Sequence, residues 1–206
     1  HLLSRRQRQM CIRDRHYALY GAAEAGRDYN TVDMSRVTAM NYYMRPYQAA
    51  VEAGVGSIMT SFNEFESIPA TGNTWLLNDV LRKQWGFNGF VVSDFTAIAE
   101  MVNHGIGNSQ EVGVKALKAG VDMDMIADCY HAVLKKSLEE GKITEAEIDS
   151  ACRRILIAKY QLGLFHDPYK YCNPKRAAKE FLSVNNVSAA RRIAAESFVL
   201  LKNDNN

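Results

Sequence analysis

Four short apolar runs recur along the first three quarters of the chain, each followed by a stretch with helical spacing. They are His16–Tyr20 (HYALY), Val55–Phe62 (VGSIMTSF), Phe90–Ser93 (FVVS) and Val121–Met125 (VDMDM). Runs this short, rich in β-branched or aromatic residues and bounded by Gly or Asn, read as buried strands. Between them apolar residues recur every three to four positions: Val37, Met40, Met44, Tyr47 and Val51, then Leu76, Leu77, Val80 and Leu81. Ser35 is placed to cap the first of these helices, Pro46 should kink it, and Gly54 should close it. Asn73 or Thr74 can cap the second, which Gly86 ends. Helices are also expected over Thr96–His104, Ser109–Ala119, Tyr130–Glu140 and Glu145–Leu162, the last opened by a Thr144/Glu147 capping box. Strand–helix alternation with short connections implies parallel strands and right-handed crossovers. About four βα units result. Both a doubly wound sheet and half of a (β/α)8 barrel accommodate them.

Composition brackets this region. Of 206 residues, 47% are hydrophobic and 23% charged, ordinary for a globular chain. No apolar run reaches the length of a membrane span. The net charge of +2 conceals a skew: Arg5, Arg6, Arg8, Arg13 and Arg15 crowd into the first fifteen residues, where Asp14 is the only acid. The remainder holds 20 basic against 22 acidic side chains. No basic or aromatic platform follows that arm, so no nucleic-acid partner is expected. The segment MCIRDR resembles sequencing-adapter read-through, and residues 1–15 are expected to be a non-native leader outside the fold. After Phe165 the periodicity lapses. Residues 166–185 read as a linker, Val187–Ser197 as an amphipathic helix, and Phe198–Leu201 (FVLL) as the first strand of another domain.

Chemistry concentrates at the strand ends. In Gly86–Phe95 (GFNGFVVSDF), Asp94 follows a β-branched strand directly. At that position an Asp can cap the helix after it or present a carboxylate to a substrate, as strand-end acids do in barrels. His16, Phe62, Asn63, Asp122 and Asp124 fall at the same predicted end. His16 also suits a packed core histidine, Asn63 a turn, and Asp122 and Asp124, which share a strand face, a helix cap or an ion pair. The histidines are too scattered for a metal site. The cysteines, Cys11, Cys129, Cys152 and Cys172, fit no zinc or redox spacing. Gly105-Ile-Gly107 lacks the third glycine and preceding strand of a phosphate loop. No metal or cofactor is expected.

Several ordered blocks carry a resemblance. ALYGAAEAGRDYNTVDMS, SFNEFESIPATGN, LLNDVLRKQWGFNGFVVSDF, KALKAGVDMDM and ARRIAAESFVLLKN together resemble glycoside hydrolase family 3, specifically its two-domain β-glucosidases. The resemblance implies a fold: 16–165 as the C-terminal half of a TIM-like (β/α)8 barrel and 186–206 as the start of an α/β sandwich domain. It implies that Asp94 is the nucleophile of a retaining exo-acting β-glycosidase whose acid/base residue lies beyond these residues. It puts His16 at a family His that binds sugar hydroxyls, and Arg15 where the family has Lys, which is not an equivalent donor. Phe62 stands where many relatives carry Tyr, and Met125 and Met123 fall in a loop lining the site's edge. The expected partner is an oligosaccharide or β-glucoside. β-Xylosidase, phosphorolytic and non-catalytic carbohydrate-binding relatives are the alternatives. The loop ALYGAAEAG departs from the KH-PGHG-type loop of the N-acetylglucosaminidase branch. Relatives of this type are often periplasmic or secreted. With the first half-barrel and second domain missing, the chain alone should be nearly inactive. It should also expose an uncovered inner sheet face at Val91, Ile58 or Met59.

Overall fold

The computed structural model describes residues 13–204. The leader up to residue 12, Cys11 included, lies outside the described residues. The elements run β1 (Arg13–Tyr17), β2 (Thr31–Val32), α1 (Arg36–Thr38, running on as a π-helical turn, Ala39–Tyr43) and α2 (Arg45–Glu52). Then come β3 (Ser57–Thr60), β4 (Glu64–Phe65), β5 (Ile68–Pro69), the π-helix α3 (Trp75–Gln84) and β6 (Phe90–Val92). Helices α4 (Ala97–Glu100), α5 (Ser109–Ala119), α6 (Cys129–Glu139), α7 (Glu145–Gln161), α8 (Pro174–Glu180) and α9 (Val184–Glu196) complete the chain.

The architecture is α/β. Strands β1, β3 and β6 form a parallel sheet in the order β1-β3-β6. Parallel order brings every C-terminal end to one edge of the sheet. The crossovers carry α1 with α2, and then α3. Ser35 caps α1 by accepting from the Thr38 N–H, and Pro46 falls in the first turn of α2, where its missing N–H costs nothing. The expected kink is therefore a break at Met44. Asn73 Oδ1 accepts from Leu76 N at 3.2 Å and starts α3, and Gly54 and Gly86 stand at φ +82° and +70° after α2 and α3. The capping boxes at Asn108/Glu111 and Thr144/Glu147 open α5 and α7. Tyr17, Ile58, Leu76, Leu77, Val80, Leu81, Val91, Ile98, Met101 and Val112 make one continuous core between sheet and helices.

Four expectations change. First, β1 starts at Arg13, so Arg13 and Asp14 carry ladder pairing to Ser57 and Ile58 of β3. Backbone pairing is indifferent to their charge, so composition did not mark it. Second, the run Val121–Met125 is reduced to one parallel bridge, Val92 to Met123. The Asp122 carboxylate takes the Val91 N–H at 2.8 Å, where a ladder carbonyl would otherwise accept. Third, Val91, Ile58 and Met59 are buried, at 0, 0 and 2% exposure. β3 lies between β1 and β6, β6 lies between β3 and Met123, and Ile58 and Val91 join the helix-side core. Fourth, Phe198–Leu201 forms no strand, because a strand needs a neighbour to pair with. The chain divides into two compact units between Gly163 and Leu164. The second holds α8, within the expected linker and capped by Asn173, and α9, capped by Ser183 and starting three residues before the expected Val187.

A small second sheet, β2-β4-β5, was not legible in the sequence. β2 pairs with β4 in parallel, and β4 pairs with β5 antiparallel. It anchors the far end of the loop that leaves β1.

Candidate active site

Asp94 sits two residues past β6, at the edge where the parallel strands end. One oxygen, Oδ2, lies 3.2 Å from His16 Nε2. The other, Oδ1, accepts from Phe95 N at 2.7 Å. Its side chain is 15% exposed and that of His16 32%, so both reach solvent from a half-closed site. The helix-cap reading of Asp94 fails on geometry: α4 begins at Ala97, and the Asp94 side chain bonds only the amide of the next residue, ahead of that helix. Between them Thr96 holds φ +57°, a left-handed conformation rare for a β-branched residue. Its amide is pinned to Met125 O at 3.0 Å, and its hydroxyl donates to Phe95 O at 2.6 Å. This turn aims Asp94 toward His16 and leaves Phe95 55% exposed beside it.

His16 does not pack in the core. Its neighbour Tyr17 does, with a hydroxyl that donates to Leu76 O at 2.8 Å. The carbonyl of His16 accepts from the Tyr47 hydroxyl, which fixes the backbone of β1 beneath the site. Burial, followed by the charge of Asp14, pushes the Tyr47 phenol up to about 12. The unfolded value is about 10. The native state therefore holds this proton more tightly, and the associated stability is present below about pH 10 and lost as pH rises toward 12. Between pH 10 and 12 the chain is expected to lose stability faster than its Tyr47→Phe variant, measured by urea unfolding. Equal slopes would assign the loss to other groups.

The remaining sequence candidates distribute around this pair. Phe62 is half-buried, its ring 4.5 Å from that of Tyr29 and 6.4 Å from that of Tyr20. Tyr20 in turn meets the His16 ring edge-on at 5.4 Å. Met125 sits behind the Asp94 turn, its N–H donating to Ser93 Oγ at 2.8 Å. Arg15 is exposed and forms no ion pair with Asp94. Asn63 is fully buried with its Oδ1 unpartnered. Asp122 is an ion-pair residue, bound by Arg82 and Arg154 at 2.6 Å each. Asp124 supports α6 by accepting from Tyr130 N at 3.2 Å.

Sequence reasoning missed Tyr20, Asp28, Tyr29 and Phe95. The Tyr20 hydroxyl donates to Asp28 Oδ1, and Tyr29 N donates to the same oxygen at 3.0 Å. Burial first, then the Asp28 bond and charge, push the Tyr20 phenol upward. The charges of Asp28, Glu100 and Asp94 add to burial in raising Tyr29. Both phenols are neutral donors at any physiological pH. In the sequence Tyr20 merely ends an apolar run and Tyr29 falls in a polar loop, so no local signal separates them from core or turn residues.

Comparison with known proteins relates the chain to a family of glycosyl hydrolases. The family model described as "Glycosyl hydrolase family 3 N terminal domain" matches residues 4–158. A periplasmic beta-glucosidase of Salmonella typhimurium is 47% identical over 195 residues, covering 92% of this chain and 25% of the relative. A beta-xylosidase of Formosa agariphila is 37% identical over 205 residues, covering 93% of this chain and 28% of the relative. The solved beta-glucosidase from Listeria innocua superposes with a TM-score of 0.90 at 42% identity, over 98% of this chain and 29% of that one. That enzyme has been solved in complex with isofagomine and with glucose, and a mutant of it with laminaribiose. The chain thus spans between a quarter and a third of the length of these relatives.

Proposed function

Because the chain belongs to glycosyl hydrolase family 3, we propose that it is the nucleophile-bearing part of a retaining, exo-acting β-glycosidase that removes terminal β-D-glucosyl residues. On this reading residues 16–165 supply the C-terminal half of a (β/α)8 barrel, with the site at its strand ends. Residues 186–206 open the second domain. The names of the similar proteins support a periplasmic location.

One observation carries the reading: Asp94 keeps one oxygen on Phe95 N and turns the other toward His16 at the open rim. A carboxylate so held is fixed in direction while its second oxygen stays available for attack. That oxygen displaces the aglycone from C1, forming a glycosyl-aspartate ester, and water then cleaves the ester from the opposite face. Two inversions retain the configuration. A second carboxyl group, about 5–5.5 Å from the first in retaining enzymes, must protonate the leaving oxygen and then activate the water. We assign it to a part of the full-length protein beyond these 206 residues. His16 faces the sugar hydroxyls across Asp94. Phe62 supplies an apolar wall where a Tyr would add a donor, and Met125 backs the site's edge. Arg15, exposed on the same strand, is the most peripheral of the assigned contacts.

The test is covalent trapping in the full-length protein. A 2-deoxy-2-fluoro-β-D-glucoside with a dinitrophenyl leaving group forms the ester but hydrolyses it slowly. Peptide mapping should place the added mass on the peptide containing Asp94. Label on another carboxylate would reject the assignment. The corresponding fluoro-xyloside separates the main alternative, since similar proteins include beta-xylosidases: faster inactivation by the xyloside would move the substrate from glucosides to xylosides.

A further inference from the structure

Forty residues separate Glu64 from His104, yet Oε1 of the first lies 2.6 Å from Nδ1 of the second. Both side chains are largely withdrawn from water, at 22 and 12% exposure. An ionised carboxylate only accepts, so Nδ1 carries the hydrogen. Sheltered in this way, the pair escapes the screening that leaves exposed ion pairs worth little.

What the pair joins gives it a role. Glu64 opens β4, two residues after Phe62. Its backbone pairs with Thr31 of β2, and its N–H donates to Asn30 O at 3.3 Å. Tyr29, the residue before Asn30, lays its ring on Phe62 at 4.5 Å. Holding Glu64 therefore holds both rings of the apolar wall. His104 lies on the segment that leaves the Asp94 turn through α4, which begins at Ala97. That segment is stiff. Glu100 N donates to Thr96 O at 3.0 Å and His104 N to Glu100 O at 3.4 Å. Asn103 Nδ2 donates to Glu100 Oε2 at 3.1 Å, and Ile98 and Met101 are fully buried. The chain leaving β5 meets the same segment again, where Gly72 comes so near Met101 that a Cβ would stand 2.8 Å from its sulfur. That second contact is apolar and non-directional. The Glu64–His104 bond is the directional one.

We infer that Glu64 and His104 are positioning residues for the attack by Asp94. They lock the Phe62–Tyr29 wall to the segment carrying the nucleophile, so that a sugar resting on the wall presents C1 to Asp94 Oδ2. They act through Phe62 and Asp94 rather than on the sugar itself. The inference rests on the glycosidase reading of Asp94 and adds how that carboxylate is held in register with the far side of its site. A misplacement of about 1 Å between reacting groups costs about 100-fold in rate. Two segments left with only the Gly72–Met101 contact between them gain that much freedom, while each keeps its own backbone hydrogen bonds.

The experiment uses the full-length protein and breaks the pair from either side, which guards against a folding defect in one variant. Glu64→Ala, His104→Ala, their double variant and His104→Asn are compared at 25 °C after circular dichroism shows each to be folded. Two rates are read: labelling of Asp94 by the 2-deoxy-2-fluoro-β-D-glucoside, and turnover of 4-nitrophenyl β-D-glucoside. Each alanine variant should lose at least about tenfold in labelling rate and in kcat. KM should stay near the parent's, the pattern of an interaction realised in the transition state. The double variant should lose no more than the worse single, because the two side chains act as one bond. His104→Asn, which keeps an N–H donor close to the place of Nδ1, should recover most of the loss. Parent rates in both alanine variants, whatever their melting temperatures, would reduce the pair to a fold contact and overturn the inference. So would additive losses in the double variant, or an Asn variant no better than Ala. A parent protein that the reagent fails to label at Asp94 would instead overturn the glycosidase reading, and the pair's role with it.

Discussion

Asp94→Gly in the full-length protein is expected to lower kcat on 4-nitrophenyl β-D-glucoside by about 10⁴-fold, as removal of a covalent nucleophile does. The fold should survive. Asp94 contributes one bond to Phe95 N and one contact to His16, while the turn around it is fixed independently by Thr96 N on Met125 O and Met125 N on Ser93 Oγ. Circular dichroism and the melting temperature should therefore stay near the parent's. The glycine also leaves room where the carboxylate stood. With 2,4-dinitrophenyl β-D-glucoside, whose leaving group needs no proton, azide placed there can attack C1 from the face Asp94 used. The C1–O bond breaks, dinitrophenolate departs, and the product is α-glucosyl azide. Its configuration is diagnostic, because azide entering from the acid/base side would give the β product. Activity within tenfold of the parent, or a β-glucosyl azide, would remove Asp94 from the nucleophile role.

What the sequence showed and what it hid follow from the range of the interactions concerned. Asp94 and His16 were legible because each is marked by its place at the end of a strand, which is a local property. Their meeting at 3.2 Å is a consequence of parallel order in β1-β3-β6. Ser35, Thr144 and Gly86 were legible for the same reason: caps and positive-φ turns are written within a few residues. Tyr20 and Asp28 were hidden because their bond closes a loop eight residues long that has no periodicity. Strands β2, β4 and β5 are two residues each, too short for alternation to register. The π-helical turns of α1 and α3 were read as ordinary helix, since an amide reaching one carbonyl further back, as Met44 N does to Ala39 O, leaves little trace in the apolar spacing. FVLL looked like a strand because propensity measures fitness for a pleated surface and says nothing of whether a neighbour is there.

Asp122 is the acid whose removal should cost the most stability, and for reasons opposite to those at Asp94. Its side chain is 0% exposed and accepts from Arg82 at 2.6 Å, Arg154 at 2.6 Å and Val91 N at 2.8 Å. Arg82 also reaches Gly89 O and Gly120 O at 3.1 Å each. One carboxylate thus joins α3, α7 and β6 just upstream of the Ser93–Asp94 turn. Burial pushes the Asp122 carboxyl up and the Arg82 guanidinium down. The two guanidiniums around it nonetheless favour the ionised form, and each charge is tolerable only because the others are present. Asp122→Ala leaves two arginines facing each other with Arg82 only 11% exposed. Breaking such a buried pair costs about 3–5 kcal/mol, which lowers the melting temperature of a unit this size by about 10 °C or more. Asp122→Asn keeps an acceptor for Val91 N but not the charge, so it should recover only part of the loss. Melting followed by circular dichroism ranks the three proteins, and a shift below about 2 °C for Asp122→Ala would show the network to be dispensable. At 25 °C, below the melting of either variant, the full-length protein should keep its parent kcat, since Asp122 holds up the floor on which Asp94 stands without facing the sugar.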